Sequence, residues 1–260
     1  MHHFNPLKKG VALTQRLKKP SLLLVLPVYN EAHEAGRVCK TVRPFLAKHR
    51  NCRAIVVDDG SRDGTAEAFR RGLRGLKRAS VMGLHENGGK GRAVRLAFAG
   101  AKEDLLIFLD GDLAYSLSHL RPMISALKSC DMVIGSRSMV PQAEGSLPKR
   151  RAFLGWGFNR LACLLFGLHY PDTQAGLKGF RRRAARELFL RQKVDGFAFD
   201  AELLYLARLL GLKVGQIPAQ VSGAHSYKTS QVKLSVDTLL CLWDFLLIRL
   251  RSWTGQYRHP

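Results

Sequence analysis

Residues 105–109 form an uninterrupted apolar run that ends directly in Asp110-Gly111-Asp112. A strand without polar alternation is covered on both faces, which is typical of the parallel sheets of α/β proteins. Side chains alternate along an extended chain, so Asp110 and Asp112 point to the same side. Two carboxylates at a strand end suit a divalent cation that also binds phosphate groups, although Asp-Gly-Asp is favourable turn chemistry as well.

Strand and helix signals alternate along the chain, which predicts an α/β fold with a Rossmann-like, mostly parallel sheet and helices on both faces. Predicted strands cover 21–27, 53–57, 79–84, 104–109, 132–134 and 213–221. Predicted helices cover 31–48, 65–73, 90–101, 117–128, 149–168, 184–190, 199–210 and 234–253. We expect a basic N-terminal arm at 1–20, one α/β domain at 21–230 and a C-terminal amphipathic helix within 231–260.

The chain carries 42 Lys and Arg residues against 20 Asp and Glu residues, a formal net charge of +22. This excess predicts an anionic partner: nucleic acid, an acidic membrane surface or a phosphorylated substrate. Aromatic residues do not interleave with the basic runs and no DNA-binding motif is present, so we expect no nucleic-acid partner. A non-catalytic nucleic-acid-binding protein is therefore a remote alternative.

The five cysteines include no Cys-x-x-Cys pair, and the N-terminal residues show no secretory signal. Both features indicate a protein that is not secreted and lies in a reducing, cytoplasmic compartment. No uninterrupted apolar stretch is long enough for a transmembrane helix.

The predicted helix at 234–253 carries apolar and charged residues on different sides. One side contains Leu239, Leu240, Trp243, Leu246, Leu247 and Leu250, and another contains Asp237, Asp244 and Arg251. Such a helix either lies in a membrane interface or packs against the core of its own domain.

Polar motifs also follow the three preceding strands. Tyr29 suits stacking on a nucleobase, whereas Glu31 suits sugar hydroxyls or the start of a helix. Asp58 and Asp59 close the second strand, where an acid can accept from a base N–H or a ribose hydroxyl. Glycines around Lys90 allow backbone N–H groups and the ammonium to approach a phosphate, but the Walker A pattern is absent.

These four strand ends, in this order, resemble glycosyltransferase family 2, a family of inverting enzymes with the GT-A fold. The likeness spans about residues 21–250. It implies a nucleotide-sugar donor site and a bound Mg²⁺ or Mn²⁺. The residues it assigns to the donor are Pro27, Tyr29, Glu31, Asp58, Asp59, Lys90, Asp110, Gly111 and Lys178. The metal ligands would be Asp110 and Asp112, with Asp112 also catalytic.

The second half is similar to the polyprenol-phosphate sugar synthase branch, most of all to dolichyl-phosphate β-glucosyltransferases. The motifs that carry this likeness are Ile134–Arg137, Lys149–Arg151, Asp172–Lys178 and Phe197–Leu204. It implies transfer of a hexose, expected to be glucose from UDP-glucose, to a polyprenyl phosphate at the cytoplasmic membrane face. Arg137, Arg150 and Arg151 would bind the acceptor phosphate, and Arg137 would also be catalytic. A mannosyl donor and a soluble or polysaccharide acceptor are the alternatives.

Asp200 and Glu202 lie where processive relatives have a catalytic Asp. A phosphate monoester has its second pKa at roughly 6 and is ionised near neutral pH, so an acceptor phosphate needs no general base. We expect these two acids to order Lys178, Lys228 or a backbone amide, or to hold the sugar.

Overall fold

The computed structural model describes residues 19–140, 149–222 and 236–258. The predicted N-terminal arm and the predicted boundary at 230–231 lie almost wholly outside these ranges. The strands are β1 (Leu22–Val28), β2 (Cys52–Asp58), β3 (Ala79–Gly83), β4 (Leu105–Leu109), β5 (Met132–Ser136), β6 (Leu177–Arg181) and β7 (Val214–Pro218). The helices are α1 (Ala35–Lys48), α2 (Thr65–Gly72), α3 (Lys90–Ala99), α4 (Leu120–Ala126), α5 (Lys149–Phe166), α6 (Arg182–Arg191), α7 (Phe199–Leu209) and α8 (Val236–Trp253).

The described strands form one seven-stranded sheet in the order β3-β2-β1-β4-β6-β5-β7. Strand β6 is antiparallel to both of its neighbours, and every other pairing is parallel. All residues of β1, β4 and β5 are buried, because helices cover both faces. The predicted α/β architecture with a mostly parallel sheet is confirmed.

Two apolar cores lie on the two sides of the sheet. One core contains Phe108 and Phe180 with residues of α3, α6, α7 and α8. The other contains Leu24 and Leu26 with residues of α1 and α4. In α1 the buried positions 35, 38, 39, 42 and 46 follow the helical period, so a single stripe of that helix faces the sheet.

Strand β6 differs from the expectation, because no strand is predicted over 177–181. Its sequence, Leu-Lys-Gly-Phe-Arg, lacks a clear strand pattern. It is a strand because it pairs with β4 and β5, which are distant along the chain. Because β6 runs antiparallel, the residues that precede it arrive at the edge of the sheet where the parallel strands end.

Helix α8 is apolar on two sides. Phe245 and Ile248 are fully buried against the domain, while Asp244 and Arg251 are half-buried between the two sides. The side chains exposed on α8 include Leu239, Leu240, Trp243, Leu246, Leu250 and Trp253. The helix therefore packs on the core and also presents a second apolar face. None of the helices in the described ranges is both long and apolar enough to cross a bilayer.

Candidate active site

The motifs at the strand ends lie together at one edge of the sheet. Val28 pairs with Asp58, and β4 pairs with β1 on its other side. A Cβ on Gly111 would collide with the carbonyl oxygen of Pro27 and with the Val28 side chain. The absence of a side chain at Gly111 therefore lets the residues after β4 pack directly on the end of β1.

Hydrogen bonds join the loop after β1 to the loop after β2. The backbone N–H of Asn30 donates to Ser61 Oγ at 2.8 Å, and the backbone N–H of Arg62 donates to Asn30 Oδ1 at 3.0 Å. The N–H of Glu31 donates to Thr65 Oγ1 at 2.8 Å. Asn30 adopts a left-handed φ of 51°, a conformation that Asn tolerates better than most residues. Tyr29, next to it, is exposed.

Asp58 and Asp59 both accept hydrogen bonds from loops of the site. The Asp58 carboxylate accepts from the backbone N–H and the hydroxyl of Ser61. The Asp59 carboxylate accepts from the N–H of Gly88 at 3.0 Å and of Gly89 at 2.8 Å. Burial raises the pKa of Asp59 by more than these two bonds lower it. The acids thus order the loops that follow β2 and β3, and their contact with a nucleotide stays a prediction.

A chain of charges, from the partly exposed Asp110 to the buried Asp200, lies at the edge of the sheet. Lys90 Nζ is 2.7 Å from Asp110 Oδ1 and 3.9 Å from Asp200 Oδ2. The same ammonium lies over the rings of Phe108 and Phe199, 5.4 and 5.8 Å from their centroids. Burial lowers the pKa of Lys90, but Asp110 and Asp200 outweigh burial and raise it overall. Lys90 therefore carries its charge at the first acid of Asp110-Gly111-Asp112.

Lys178 continues this chain of charges from β6. Its Nζ is 2.6 Å from Asp200 Oδ1 and donates to the carbonyl oxygen of Ala175 at 2.9 Å. Burial lowers the pKa of Lys178, and the nearby Asp200 offsets only part of that shift. The expectation that Asp200 orders Lys178 is confirmed. Lys178 is fully buried, and its assignment to the donor stays a prediction.

Asp112 lies in a tight turn after β4. Its Oδ1 accepts from the N–H of Ala114 at 2.9 Å, and its backbone carbonyl oxygen accepts from Arg37. Leu113 has a left-handed φ of 50°, which is uncommon for a bulky residue and indicates a constrained turn. The N–H of Leu113 donates to the carbonyl oxygen of Asp110 at 2.9 Å. Residues 110–113 therefore form a turn and do not continue the extended strand on which the predicted common direction of the two acids rests.

The two acids fit part of a metal site. The Asp110 carboxylate packs directly on Gly176, where a Cβ would collide with it. Within the described ranges no group of three or more His, Cys, Asp and Glu residues is arranged to hold a metal. Mg²⁺-type ions use one or two carboxylates and complete their shell with water and substrate phosphates. Asp110 and Asp112 suit an ion that is shared with a diphosphate.

Arg137, directly after β5, forms a two-point ion pair with Asp172. Its Nε and Nη2 donate to the two carboxylate oxygens at 2.7 and 2.9 Å, and its backbone N–H donates at 3.0 Å. Burial raises the pKa of Asp172, but the bonds from Arg137 outweigh it and hold that pKa below its usual range. The pair engages two of the five guanidinium N–H groups, and the Arg137 side chain is 44% exposed.

One residue near the site, Tyr115, carries no clear signal in the sequence. Tyr115 is buried where the charges of Arg137, Asp110, Asp172 and Asp200 all act on its phenol. Its only hint is its position three residues after Asp112. Arg150 and Arg151 lie in the first turn of α5, and their side chains, like Lys228, lie outside the described residues.

The comparisons with known proteins agree with this geometry. The family model "Glycosyl transferase family 2" matches residues 23–189. This chain belongs to glycosyl transferase family 2. The dolichyl-phosphate beta-glucosyltransferase of Drosophila melanogaster is 33% identical over 273 residues, which span 96% of this chain and 81% of the relative. The enzyme of the same name from Homo sapiens is 29% identical, over 91% of this chain and 77% of the relative.

Solved structures show the same fold at lower identity. Mannosyl-3-phosphoglycerate synthase from Rubrobacter xylanophilus matches with a TM-score of 0.65 and 20% identity, over 90% of this chain and 75% of that one. Glucosyl-3-phosphoglycerate synthase of M. tuberculosis matches with a TM-score of 0.64 and 18% identity, over 88% and 80%. The GT-A fold expected from the sequence is confirmed, and the chain is a glycosyltransferase.

Proposed function

We propose that this glycosyltransferase moves glucose from UDP-glucose to the phosphate of dolichyl phosphate or another polyprenyl phosphate, with inversion at the anomeric carbon. The observation that carries the proposal is the similarity to dolichyl-phosphate beta-glucosyltransferases, which extends over 96% of the chain for the Drosophila relative. The charged side chains at the edge of the sheet support the proposal, because a nucleotide-sugar donor needs such groups.

The donor side is built from the loops after β1, β2 and β3. Asp59 fixes the glycine-rich loop by accepting from Gly88 and Gly89, and this loop brings Lys90 to Asp110. A nucleotide would lie beside Asp58 and Asp59, with Tyr29 exposed for stacking on the base. The diphosphate would meet Lys90 and the two acids of the metal motif.

Asp110 and Asp112 would hold a divalent cation against the diphosphate. A related fold supports this assignment: one structure of glucosyl-3-phosphoglycerate synthase contains Mn²⁺, UDP and the glucosylated product. When bound, the ion would supply a Lewis acid that stabilises the charge of the departing diphosphate. Lys90, already paired with Asp110, adds a fixed positive charge on the same side.

The acceptor side centres on Arg137. Asp172 fixes the guanidinium plane through two parallel hydrogen bonds, a geometry that leaves further N–H groups to grip a phosphate. An ionised acceptor phosphate attacks the anomeric carbon without losing a proton. The proposal therefore assigns no proton transfer to Asp200, whose side chain is 4% exposed and whose carboxylate lies 2.6 Å from Lys178 Nζ.

A lipid acceptor also requires a place for its chain at a membrane. The exposed apolar face of α8 supplies such a surface. Helix α5 packs on α8 and extends this surface with its exposed Trp156 and Leu164. Large exposed apolar patches mark interaction surfaces, and a net charge of +22 favours anionic lipid. We propose peripheral attachment to the cytoplasmic face through α8.

The test is an assay that identifies the product. Purified protein is incubated with Mn²⁺ or Mg²⁺, a panel of UDP- and GDP-sugars, and either dolichyl phosphate or a soluble phosphate such as 3-phosphoglycerate. We expect a glucosyl-phosphate lipid from UDP-glucose alone, identified by mass spectrometry. Transfer only to the soluble phosphate, or only from GDP-mannose, would overturn the substrate assignment.

The variant Asp112→Ala tests the metal motif in the same assay. We expect transfer to fall by about 100-fold or more, since removal of a metal-binding group has effects of at least this size. The matched control is Asp131→Ala, because the Asp131 carboxylate accepts from the N–H of Lys213 at the opposite end of β5. Full activity of Asp112→Ala would remove the metal motif from the mechanism.

A further inference from the structure

Glu202 is a fully buried acid on α7 that takes no part in the proposed chemistry. Its carboxylate accepts from the backbone N–H of Lys193 at 3.0 Å and of Val194 at 2.9 Å. It also accepts from the hydroxyl of Tyr257 at 2.6 Å. Tyr257 belongs to the segment after α8 and is itself buried. One carboxylate therefore ties the C-terminal segment to the turn at 193–196.

The turn at 193–196 supports the glycine-rich loop of the donor side. The carbonyl oxygen of Asp195 accepts from the N–H of Gly91 at 2.7 Å. Gly89 has a φ of +94°, and a Cβ there would collide with the same carbonyl oxygen. Arg95 of α3 pairs with the Asp195 carboxylate at 2.7 Å. The loop thus rests directly on this turn.

The same glycine-rich loop faces the site on its other side. Gly88 and Gly89 donate to Asp59, and Lys90 pairs with Asp110. The contacts form a continuous connection from the C-terminal segment through Glu202 and the 193–196 turn to the donor-side loop. Each link is a hydrogen bond or ion pair between described residues.

We propose that Glu202 is a positioning residue of the donor site, and that the C-terminal segment holds it in place through Tyr257. Glu202 keeps the 193–196 turn against residues 88–91, so the segment after α8 contributes to the order of the glycine-rich loop. The ligand named below rests on the proposed function, whereas the positioning itself concerns this chain alone.

The test compares Tyr257→Phe with Tyr205→Phe. Tyr257→Phe removes only the hydroxyl that donates to Glu202. Tyr205→Phe is the matched control, because its hydroxyl bonds Ser252 of α8 at 2.7 Å and does not touch Glu202. Amide hydrogen exchange over residues 88–91 is measured without ligand, and the affinity for UDP with Mn²⁺ is measured by calorimetry.

We expect Tyr257→Phe to speed exchange over 88–91 and to weaken UDP binding, each by about five- to tenfold, the size expected for the loss of one hydrogen bond. Tyr205→Phe should leave both unchanged. Glu202→Gln keeps one carbonyl oxygen for the backbone donors and serves as a second test variant. Like Tyr257→Phe, it should speed exchange over 88–91 and weaken UDP binding.

Unchanged exchange over 88–91 in Tyr257→Phe and in Glu202→Gln, or an equal effect of Tyr205→Phe, would overturn the positioning role. Failure of the wild-type protein to bind UDP, with exchange altered as expected, would count against the proposed donor and not against the positioning by Glu202.

Discussion

At the scale of single residues, each acid at the edge of the sheet is held by specific donors. Asp59 accepts from two backbone N–H groups, Asp200 faces two lysines, and Asp172 binds Arg137 at two points. Buried charges are stable only with such partners, and the loss of one partner leaves the other uncompensated. The geometry of the site is therefore set by pairs of residues.

The pair of Arg137 and Asp172 predicts a dependence of stability on pH. The pKa of Asp172 is lowered in the folded protein, so its charge contributes to stability fully above the ordinary Asp pKa of about 3.9. That contribution is lost as the pH falls through the lower, folded pKa. Asp172→Asn should therefore cost ~1–2 kcal/mol of the free energy of unfolding at pH 7, and less as the pH approaches 3.

Urea unfolding of wild type and Asp172→Asn at several pH values between 7 and 3 measures this difference. A gap between the two proteins that stays constant, or widens in acid, would contradict the role assigned to the ion pair.

At the scale of elements, the local pattern predicts most of the helices and the parallel strands. The predicted strand at 104–109 agrees with the observed β4 at Leu105–Leu109 to within one residue. The agreement is this good because an apolar run directly indicates a buried strand. Strand β6 could not be found in this way. Lys178 is tolerated inside it only because Asp200, from α7, is 2.6 Å away, and this contact forms only in the folded chain.

The exposed apolar face of helix α8 predicts that this helix binds the membrane surface. Leu246 is 57% exposed on the outer face of α8, and Leu190 is 56% exposed on α6. Leu246→Glu and Leu190→Glu change the net charge equally, so the electrostatic attraction to lipid is matched. We expect Leu246→Glu to weaken binding to anionic vesicles by about tenfold or more, as loss of one buried Leu implies.

Vesicle sedimentation at fixed salt measures the binding of both variants. Leu190→Glu should bind like wild type; equal loss of binding by the two variants would mean that α8 is not the attachment surface.

At the scale of the whole molecule, the site joins parts that are far apart in the sequence. The acids at the strand ends could be predicted, because parallel strands bring their carboxyl ends to one edge. The partners of Asp172 and Glu202 could not be predicted. The bonds of Arg137 with Asp172 and of Glu202 with Tyr257 span 35 and 55 residues, and no local pattern reports them.

A crystal structure with Mn²⁺ and UDP-glucose tests the central claim most directly, namely that the acids of separate strand ends surround one cation and one activated sugar. We predict an anomalous Mn²⁺ peak coordinated by Asp110 and Asp112, with the diphosphate bound to it and the uridine beside Asp58 and Asp59. A Mn²⁺ peak elsewhere, or a nucleotide bound away from the carboxyl edge of the sheet, would contradict it.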